Sequence, residues 1–91
     1  MLKIVSSNQF KKDIKLAIKR NFDIKELEIV IDTLANEKVL DKKYKAHELK
    51  GTYSGFMECH IKPNWLLIYK VENKELELFL FRTGTHSDLF K

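Results

Sequence analysis

Cysteine, proline and glycine are scarce in this 91-residue chain, which contains one cysteine, one proline and three glycines. The single cysteine, Cys59, excludes a disulfide within the chain and is typical of a reducing compartment, so we expect a cytoplasmic protein with Cys59 buried in a strand. The few glycines form no phosphate-binding loop, dinucleotide-binding fingerprint or nucleophile elbow. The motifs of nucleotide-dependent enzymes and of serine hydrolases are therefore missing.

Long apolar runs are missing as well. No run approaches the roughly 20 residues that a membrane span needs, and the first ten residues lack the apolar core and cleavage site of a signal peptide. The histidine and cysteine spacings that bind zinc do not occur, so we expect neither a metal nor another cofactor. The length suits one domain over residues 1–91 with a single core of modest depth.

The net charge of +4 is distributed unevenly along the chain. Residues 1–50 carry 12 Lys and Arg against 8 Asp and Glu, whereas residues 51–91 carry 5 of each kind. Such an excess attracts polyanions. Lys42, Lys43 and Lys45 lie close to a histidine in the sequence, and we expect them to bind the substrate. Several of the other lysines lie in a helix predicted at about residues 8–20. For these lysines, exposure to solvent on one face of that helix explains their number equally well.

The hydrophobic periodicity predicts an α+β domain. Apolar residues recur with helical spacing in two segments and with strand spacing in four. The predicted elements are a strand at 2–5, helices at about 8–20 and 23–36, and strands at about 51–61, 65–71 and 76–82. Short turns between the last three strands indicate an antiparallel meander. We therefore expect an N-terminal strand and a helical hairpin packed on a twisted antiparallel sheet.

Strand alternation predicts which side chains face the helices. In the strand at 51–61, Cys59 lies on the face that packs against the helices, and His60 points the other way. The last two strands are apolar on both faces, so their second face needs a cover. Either the C-terminal residues Leu89 and Phe90 or a partner protein would supply it.

The candidate catalytic groups are three histidines, His47, His60 and His86, and one arginine, Arg82. Histidine titrates near pH 6.5 and can take a proton from a ribose 2′-hydroxyl or give one to the leaving 5′-oxygen. Arginine can stabilise the extra negative charge of a pentavalent phosphorane. The set suits RNA cleavage without a metal. Each group also has a non-catalytic explanation. A histidine can lie at the surface without a function, and the arginine can form an ion pair at the end of its strand.

Three sequence blocks resemble the YafQ branch of the RelE/ParE toxin superfamily. They are HELKG at 47–51, ECHIKPNWLLIY at 58–69 and RTGTHSDLF at 82–90. The resemblance spans essentially the whole chain and implies a microbial-RNase-like α+β fold. It also implies a bacterial type II toxin that cleaves mRNA in the ribosomal A site. Such a toxin is monomeric within a hetero-oligomeric complex with its antitoxin.

The same resemblance implies roles for individual residues. His86 matches the general acid for the 5′-leaving group, and either His47 or His60 matches the group that assists deprotonation of the 2′-hydroxyl. Arg82 matches the arginine that stabilises the transition state. We expect these four residues to carry the catalysis.

The resemblance also implies substrate contacts. Trp65 matches a residue that lines the active site, and Phe90 matches the C-terminal aromatic residue near the scissile nucleotide, although for Trp65 a core position is the alternative. Asn64 replaces the family's usual acid, so it can hydrogen-bond the substrate but cannot exchange a proton at neutral pH. Met57 stands where many relatives have an arginine, which removes one phosphate contact.

Three hypotheses about function follow. The first is a ribosome-dependent endoribonuclease, which the three histidines favour. The second is a non-catalytic toxin that binds its target as the gyrase-directed ParE relatives do. The third is a weakened or inactive toxin retained for antitoxin binding, which Asn64 and Met57 keep open.

Overall fold

The computed structural model describes residues 1–90 and shows helices packed on a five-stranded sheet. In chain order the elements are β1 (Lys3–Ser6), α1 (Asn8–Lys19), α2 (Ile24–Ala35), β2 (His47–Glu48), β3 (Met57–Lys62), β4 (Trp65–Glu72), β5 (Glu77–Gly84) and α3 (His86–Leu89). Short 3₁₀ turns at Lys42–Tyr44 and Gly51–Tyr53 flank β2. The predicted α+β class is confirmed. No helix in the stretch 1–90 is long and apolar enough to cross a membrane.

The sheet has the strand order β1-β5-β4-β3-β2. Strands β2 to β5 pair antiparallel with their neighbours, which confirms the predicted meander, while β1 pairs parallel with β5. The pairing of β1 ends where Ser6 lies opposite Leu80. Beyond Leu80 the edge of β5 is therefore not covered by β1, and α1, which follows β1 directly, packs against it.

Both predicted helices are present because each has a cap and an apolar stripe. The Ser7 hydroxyl accepts a hydrogen bond from the Phe10 backbone N–H at the start of α1, and the Asp23 carboxylate does the same for Glu26 at the start of α2. Such caps satisfy amide groups that have no partner within the helix. The helices and the inner sheet face share one core, which holds Phe10, Leu27, Val30, Cys59, Leu67 and Leu78 among others.

Cys59 is fully buried in β3, as predicted, and burial raises the pKa of its thiol to about 12. The second sheet face has its own apolar cluster around Leu66 and Ile68, and Leu89 and Phe90 pack against it. The chain therefore covers this face with its own C-terminal segment.

One predicted strand begins too early. The sequence indicates a strand from Gly51 onwards, but residues 51–53 form a 3₁₀ turn and β3 begins at Met57. Gly51 and Gly55 have φ angles of 70° and 94°, which extended strands do not adopt. The segment 38–50, for which the sequence predicts neither a helix nor a strand, contains the short strand β2, which adds the fifth strand to the sheet.

Candidate active site

A buried glutamate joins two of the candidate histidines. His47 of β2 lies opposite Glu58 of β3, and His60 is two residues further along the same face of β3. The Glu58 Oε1 atom is 3.3 Å from His47 Nε2 and 3.8 Å from His60 Nε2, and the two rings are 6.3 Å apart between centroids. Glu58 is only 7% exposed. The two imidazoles therefore share one carboxylate, in what we call the His–Glu–His cluster.

Backbone carbonyls hold the other nitrogens of these rings. His47 Nδ1 is 2.9 Å from the Lys45 carbonyl oxygen, and His60 Nδ1 is 3.4 Å from that of Pro63. With Nδ1 held in this way, each ring directs Nε2 towards Glu58. In a neutral ring Nδ1 donates to the carbonyl oxygen and Nε2 keeps its lone pair, and after taking up a proton the imidazole donates at both nitrogens and satisfies both contacts. The cluster is therefore oriented before any substrate arrives.

His86 lies at the same end of the sheet as His60. His60 pairs with Leu66 of β4, and Leu66 pairs with Gly84 of β5, two residues before His86. Because neighbouring strands are about 4.8 Å apart, β3 and β5 are on the order of 10 Å apart on either side of β4. His86 is exposed and its ring is 5.1 Å from that of Phe90.

The short helix α3 fixes the backbone of His86 through a capping box. The Thr85 hydroxyl accepts from the Asp88 backbone N–H, and the Asp88 carboxylate accepts from the Thr85 N–H at 2.9 Å. Asp88 also forms an ion pair with Arg20 at the end of α1, with a distance of 2.7 Å. The hydrogen bond from Arg20, more than any other contact, lowers the pKa of Asp88 to about 2.

Arg82 is held by a carboxylate of α1. Its Nε and Nη2 atoms donate to Asp13 at 2.8 and 3.3 Å, and this hydrogen bonding raises the pKa of Arg82. The same Asp13 accepts from the Thr83 backbone N–H at the open edge of β5. Arg82 pairs with Ile68, which pairs with Glu58, so it shares a row of the sheet with the His–Glu–His cluster. Its side chain is nevertheless engaged in the strand-end ion pair that the sequence offered as the alternative explanation.

Trp65 is 3% exposed and belongs to the core. Its indole N–H donates to the Thr83 hydroxyl at 2.9 Å, and its ring lies 5.0 Å from that of Phe22, between centroids. A base cannot stack on a ring buried this deeply. Phe90 is half-buried and contacts the rings of Tyr53 and His86, so part of it can be reached from the site of His86.

Only two of the three predicted substrate-binding lysines line a cleft together with His60. A cleft of about 330 Å³, here called the lysine cleft, is lined by Lys43, Lys45 and His60, and also by Lys62, to which sequence reasoning gave no role. Lys42 is exposed beside it in the same 3₁₀ turn but does not line it. Asn64 lies outside the lysine cleft.

Asn64 lines a second cleft of about 550 Å³, here called the aromatic cleft. Its wall includes Arg20, Phe22, Lys62, Trp65 and Thr85. Because Lys62 lines both clefts, they adjoin each other at the β3–β4 turn. Within residues 1–90, no group of three His, Cys, Asp or Glu side chains is arranged to hold a metal ion.

Sequence reasoning missed the supporting carboxylates. Glu58 stands two residues before His60, and that spacing places both on one face of a strand. This signal was available in the sequence. Asp13 gave no such signal, because it lies 69 residues before Arg82 and meets it only through the packing of α1 on β5.

Comparisons with known proteins agree with this architecture. A family model described as a bacterial toxin of type II toxin–antitoxin systems, YafQ, matches residues 2–91. The chain is 42% identical over 85 residues to the mRNA interferase toxin YafQ of Escherichia coli K12, covering 92% of this chain and 90% of that protein.

Solved structures of similar proteins have the same fold. A metal-bound toxin from Helicobacter pylori has a TM-score of 0.94 and 49% identity, covering 99% of this chain and 100% of that one. A chain of the E. coli DinJ–YafQ complex has a TM-score of 0.91 and 40% identity, with complete coverage of both chains. Sequence and fold together show that the chain belongs to the YafQ family of type II toxin–antitoxin toxins.

Proposed function

We propose that this toxin is an mRNA interferase, an endoribonuclease that cleaves message in the ribosomal A site and acts in the cytoplasm. The observation that carries the proposal is the His–Glu–His cluster at the same end of the sheet as His86. Two proton-transfer groups on either side of a gap are what transesterification of RNA requires. The relative from E. coli K12 carries the name mRNA interferase toxin.

The first step is removal of the 2′-hydroxyl proton. His60 is the favoured base because it is nearer to His86 across the sheet. It pairs with Leu66, which pairs with β5 just before His86, whereas His47 lies one strand further away. Glu58 stabilises the charge that the imidazole acquires when it takes the proton. The 2′-oxygen then attacks the phosphorus atom, and a pentavalent phosphorane forms.

The second step is departure of the 5′-oxygen. His86 donates a proton to it as the phosphorus–oxygen bond breaks, leaving a 2′,3′-cyclic phosphate and a 5′-hydroxyl. Arg82 stabilises the negative charge of the phosphorane with the N–H groups that Asp13 does not occupy. These steps need no metal ion and no other cofactor.

Mapping of mRNA 5′-ends in cells that express the chain tests this function. We expect cleavage within codons, and we expect His86→Ala to reduce it by at least about 100-fold, the lower range for losing a general acid. Ser87→Ala is the matched control, because this exposed residue lies next to His86 on α3. Growth arrest with intact mRNA would instead support a non-catalytic, ParE-like toxin.

The third hypothesis, a weakened or inactive toxin, has a structural basis. Asp13 occupies two donors of Arg82, and Asn64 brings a carboxamide where the family pattern has an acid. If expression of the chain causes neither cleavage nor growth arrest, although the protein folds and binds an antitoxin, this hypothesis is correct and the proposed function is wrong.

We also propose that a cognate antitoxin, encoded in the adjacent reading frame, binds one copy of the toxin within a hetero-oligomer. A solved E. coli relative forms a DinJ–YafQ complex. Co-expression followed by size-exclusion chromatography with light scattering tests the partner and the state of the free toxin. Elution of the toxin as a monomer whether or not the antitoxin is present would contradict the partner.

A further inference from the structure

The aromatic cleft presents one aromatic ring supported by another. The Phe22 ring is half-buried and rests on Trp65, with centroids 5.0 Å apart and ring planes inclined by 56°. Trp65 is held in place by its hydrogen bond to Thr83, and the Arg20 guanidinium lies 6.0 Å from the centroid of Phe22. Phe22 is therefore the aromatic surface of this cleft that a ligand can reach.

The cleft is next to the proposed catalytic groups. Thr85, the N-cap of α3 and the residue before His86, forms part of its wall. Lys62 forms another part and also lines the lysine cleft together with His60. An RNA strand that passes between His60 and His86 would therefore have this cleft beside it.

The charges of the rim favour an anionic ligand. Among residues 1–90, Lys62 has no carboxylate within 4.0 Å, so its ammonium group is available to a phosphate. The acid on the rim, Asp23, directs its carboxylate to the Glu26 backbone N–H at the start of α2. Arg20 is paired with Asp88. The volume of about 550 Å³ lies within the range of small-molecule pockets and is large enough for one nucleotide.

We propose that the aromatic cleft binds the nucleotide adjoining the scissile phosphate of single-stranded RNA. The base packs against Phe22, and the phosphate binds Lys62. Single strands are commonly bound in this way, by aromatic stacking combined with a cation along the backbone. Phe22, and not the buried Trp65, is then the aromatic residue that touches the base. The inference rests on the proposed function, since it assigns part of the same substrate to this cleft.

The protein contains one tryptophan, Trp65, which makes it a reporter for this cleft. We would titrate the chain with a short 2′-O-methyl RNA, which cannot be cleaved because its 2′-oxygen is blocked, and follow tryptophan emission. Saturable quenching is expected. Phe22→Leu should weaken binding by about tenfold, within the range for loss of one stacked base, whereas Phe22→Tyr should retain it.

Phe79→Leu is the control, because Phe79 is also half-buried but belongs to the aromatic group on the other sheet face, with Phe56 and Phe81. A second pair tests the phosphate contact. Lys62→Gln should weaken binding and flatten its salt dependence, and Lys74→Gln, in the turn at the opposite end of the sheet, should do neither.

Absence of quenching with the unmodified chain would overturn the inference, as would equal affinities for Phe22→Leu and Phe22→Tyr. Neither result depends on cleavage, which the mapping of mRNA 5′-ends measures separately. A chain that cleaves mRNA but shows no effect of Phe22 would leave the proposed function intact and remove this subsite. Conversely, binding without cleavage would keep the subsite and reject the nuclease.

Discussion

At the scale of single residues, the site depends on carboxylates that orient the proposed catalytic groups. Glu58 is buried between His47 and His60, and Asp13 is buried against Arg82. Buried carboxylates are rare unless they are paired, since an ionised group loses hydration on burial. Each carboxylate here has a histidine or an arginine as its partner, so the pairing explains its burial.

Glu58→Gln should lower the rate of mRNA cleavage by at least about tenfold, because the amide keeps the shape of the side chain but cannot stabilise a protonated imidazole. Rates measured with the purified toxin on programmed ribosomes test this expectation. Glu48→Gln, an exposed neighbour in β2, should leave the rate unchanged. Equal rates for the two variants would show that Glu58 has only a structural role.

Asn64→Asp should raise the cleavage rate, because it restores an acid on the wall of the aromatic cleft beside Thr85. An aspartate can accept and release a proton, whereas the carboxamide cannot. The same ribosome assay measures the effect, with Asn73→Asp in the β4–β5 turn as the matched control. A slower Asn64→Asp enzyme would indicate that the carboxamide itself contributes to substrate binding.

At the scale of elements, α1 holds both ends of the segment that carries Arg82 and His86. Asp13 binds Arg82 and the Thr83 backbone, and Arg20, the C-cap residue of α1, binds Asp88. Gly84 lies between these two attachments, and a Cβ atom there would lie only 3.0 Å from the Asp88 carboxylate. A side chain at this position would therefore crowd the Asp88 side chain, so glycine favours the close approach of α3 to β5.

Asp13→Asn should lower the free energy of unfolding by about 2 kcal/mol, because it removes the charge that partly buried Arg82 needs and weakens three hydrogen bonds. Chemical denaturation measures the change. Asp32→Asn on the exposed side of α2 should alter stability by less than about 0.5 kcal/mol. Similar values for both variants would mean that the pair contributes nothing beyond a surface charge.

The Arg20–Asp88 pair should give stability a dependence on acid pH. The pKa of Asp88 is lowered from 3.8 to about 2 in the folded chain, so the folded state binds its proton less readily than the unfolded state does. The resulting stabilisation is complete above about pH 4 and is lost as the pH falls towards 2. Urea denaturation at a series of pH values between about 2 and 4 gives the free energy of unfolding as a function of pH. This free energy should change less steeply with pH for Arg20→Gln than for the unmodified chain.

Lys19→Gln, the neighbouring exposed residue on α1, is the control for that series and should keep the slope of the unmodified chain. If the free energy of unfolding depends on pH equally in Arg20→Gln and Lys19→Gln, the ion pair does not set the pKa of Asp88.

At the scale of the whole molecule, basic residues surround the end of the sheet where the histidines lie. Lys43, Lys45 and Lys62 line the lysine cleft beside His60. The ribosome and its message, which we propose as the target, are polyanions, so this distribution of charge favours approach from that side.

Neutralising Lys42, Lys43 and Lys45 together with glutamine should weaken co-sedimentation with ribosomes and reduce its salt dependence. The variant Lys11, Lys12 and Lys15 to glutamine is the matched control, since it removes the same charge from the exposed face of α1. Unchanged co-sedimentation of the first variant would reject the role of these lysines in binding. Equal losses in both would show that only net charge matters.

Local patterns in the sequence were sufficient for the two long helices and for β1, β3, β4 and β5, but not for β2, for α3 or for all of the element ends. The amphipathic stripes of α1 and α2 predict both helices, and alternation places Cys59 inside and His60 outside. The early start assigned to β3 shows the limit of such patterns, because composition does not reveal that Gly51 and Gly55 adopt positive φ angles.

The sequence by itself determined the α+β class, the meander, the family and the set of titratable groups, because these depend on local periodicity and on short blocks of residue types. Tertiary structure alone decided which groups meet. It placed His47 opposite Glu58 through pairing of β2 with β3, and it turned Arg82 towards Asp13 through packing of α1. The physical reason is that contacts between distant segments depend on strand register and helix packing, which residue order does not specify locally.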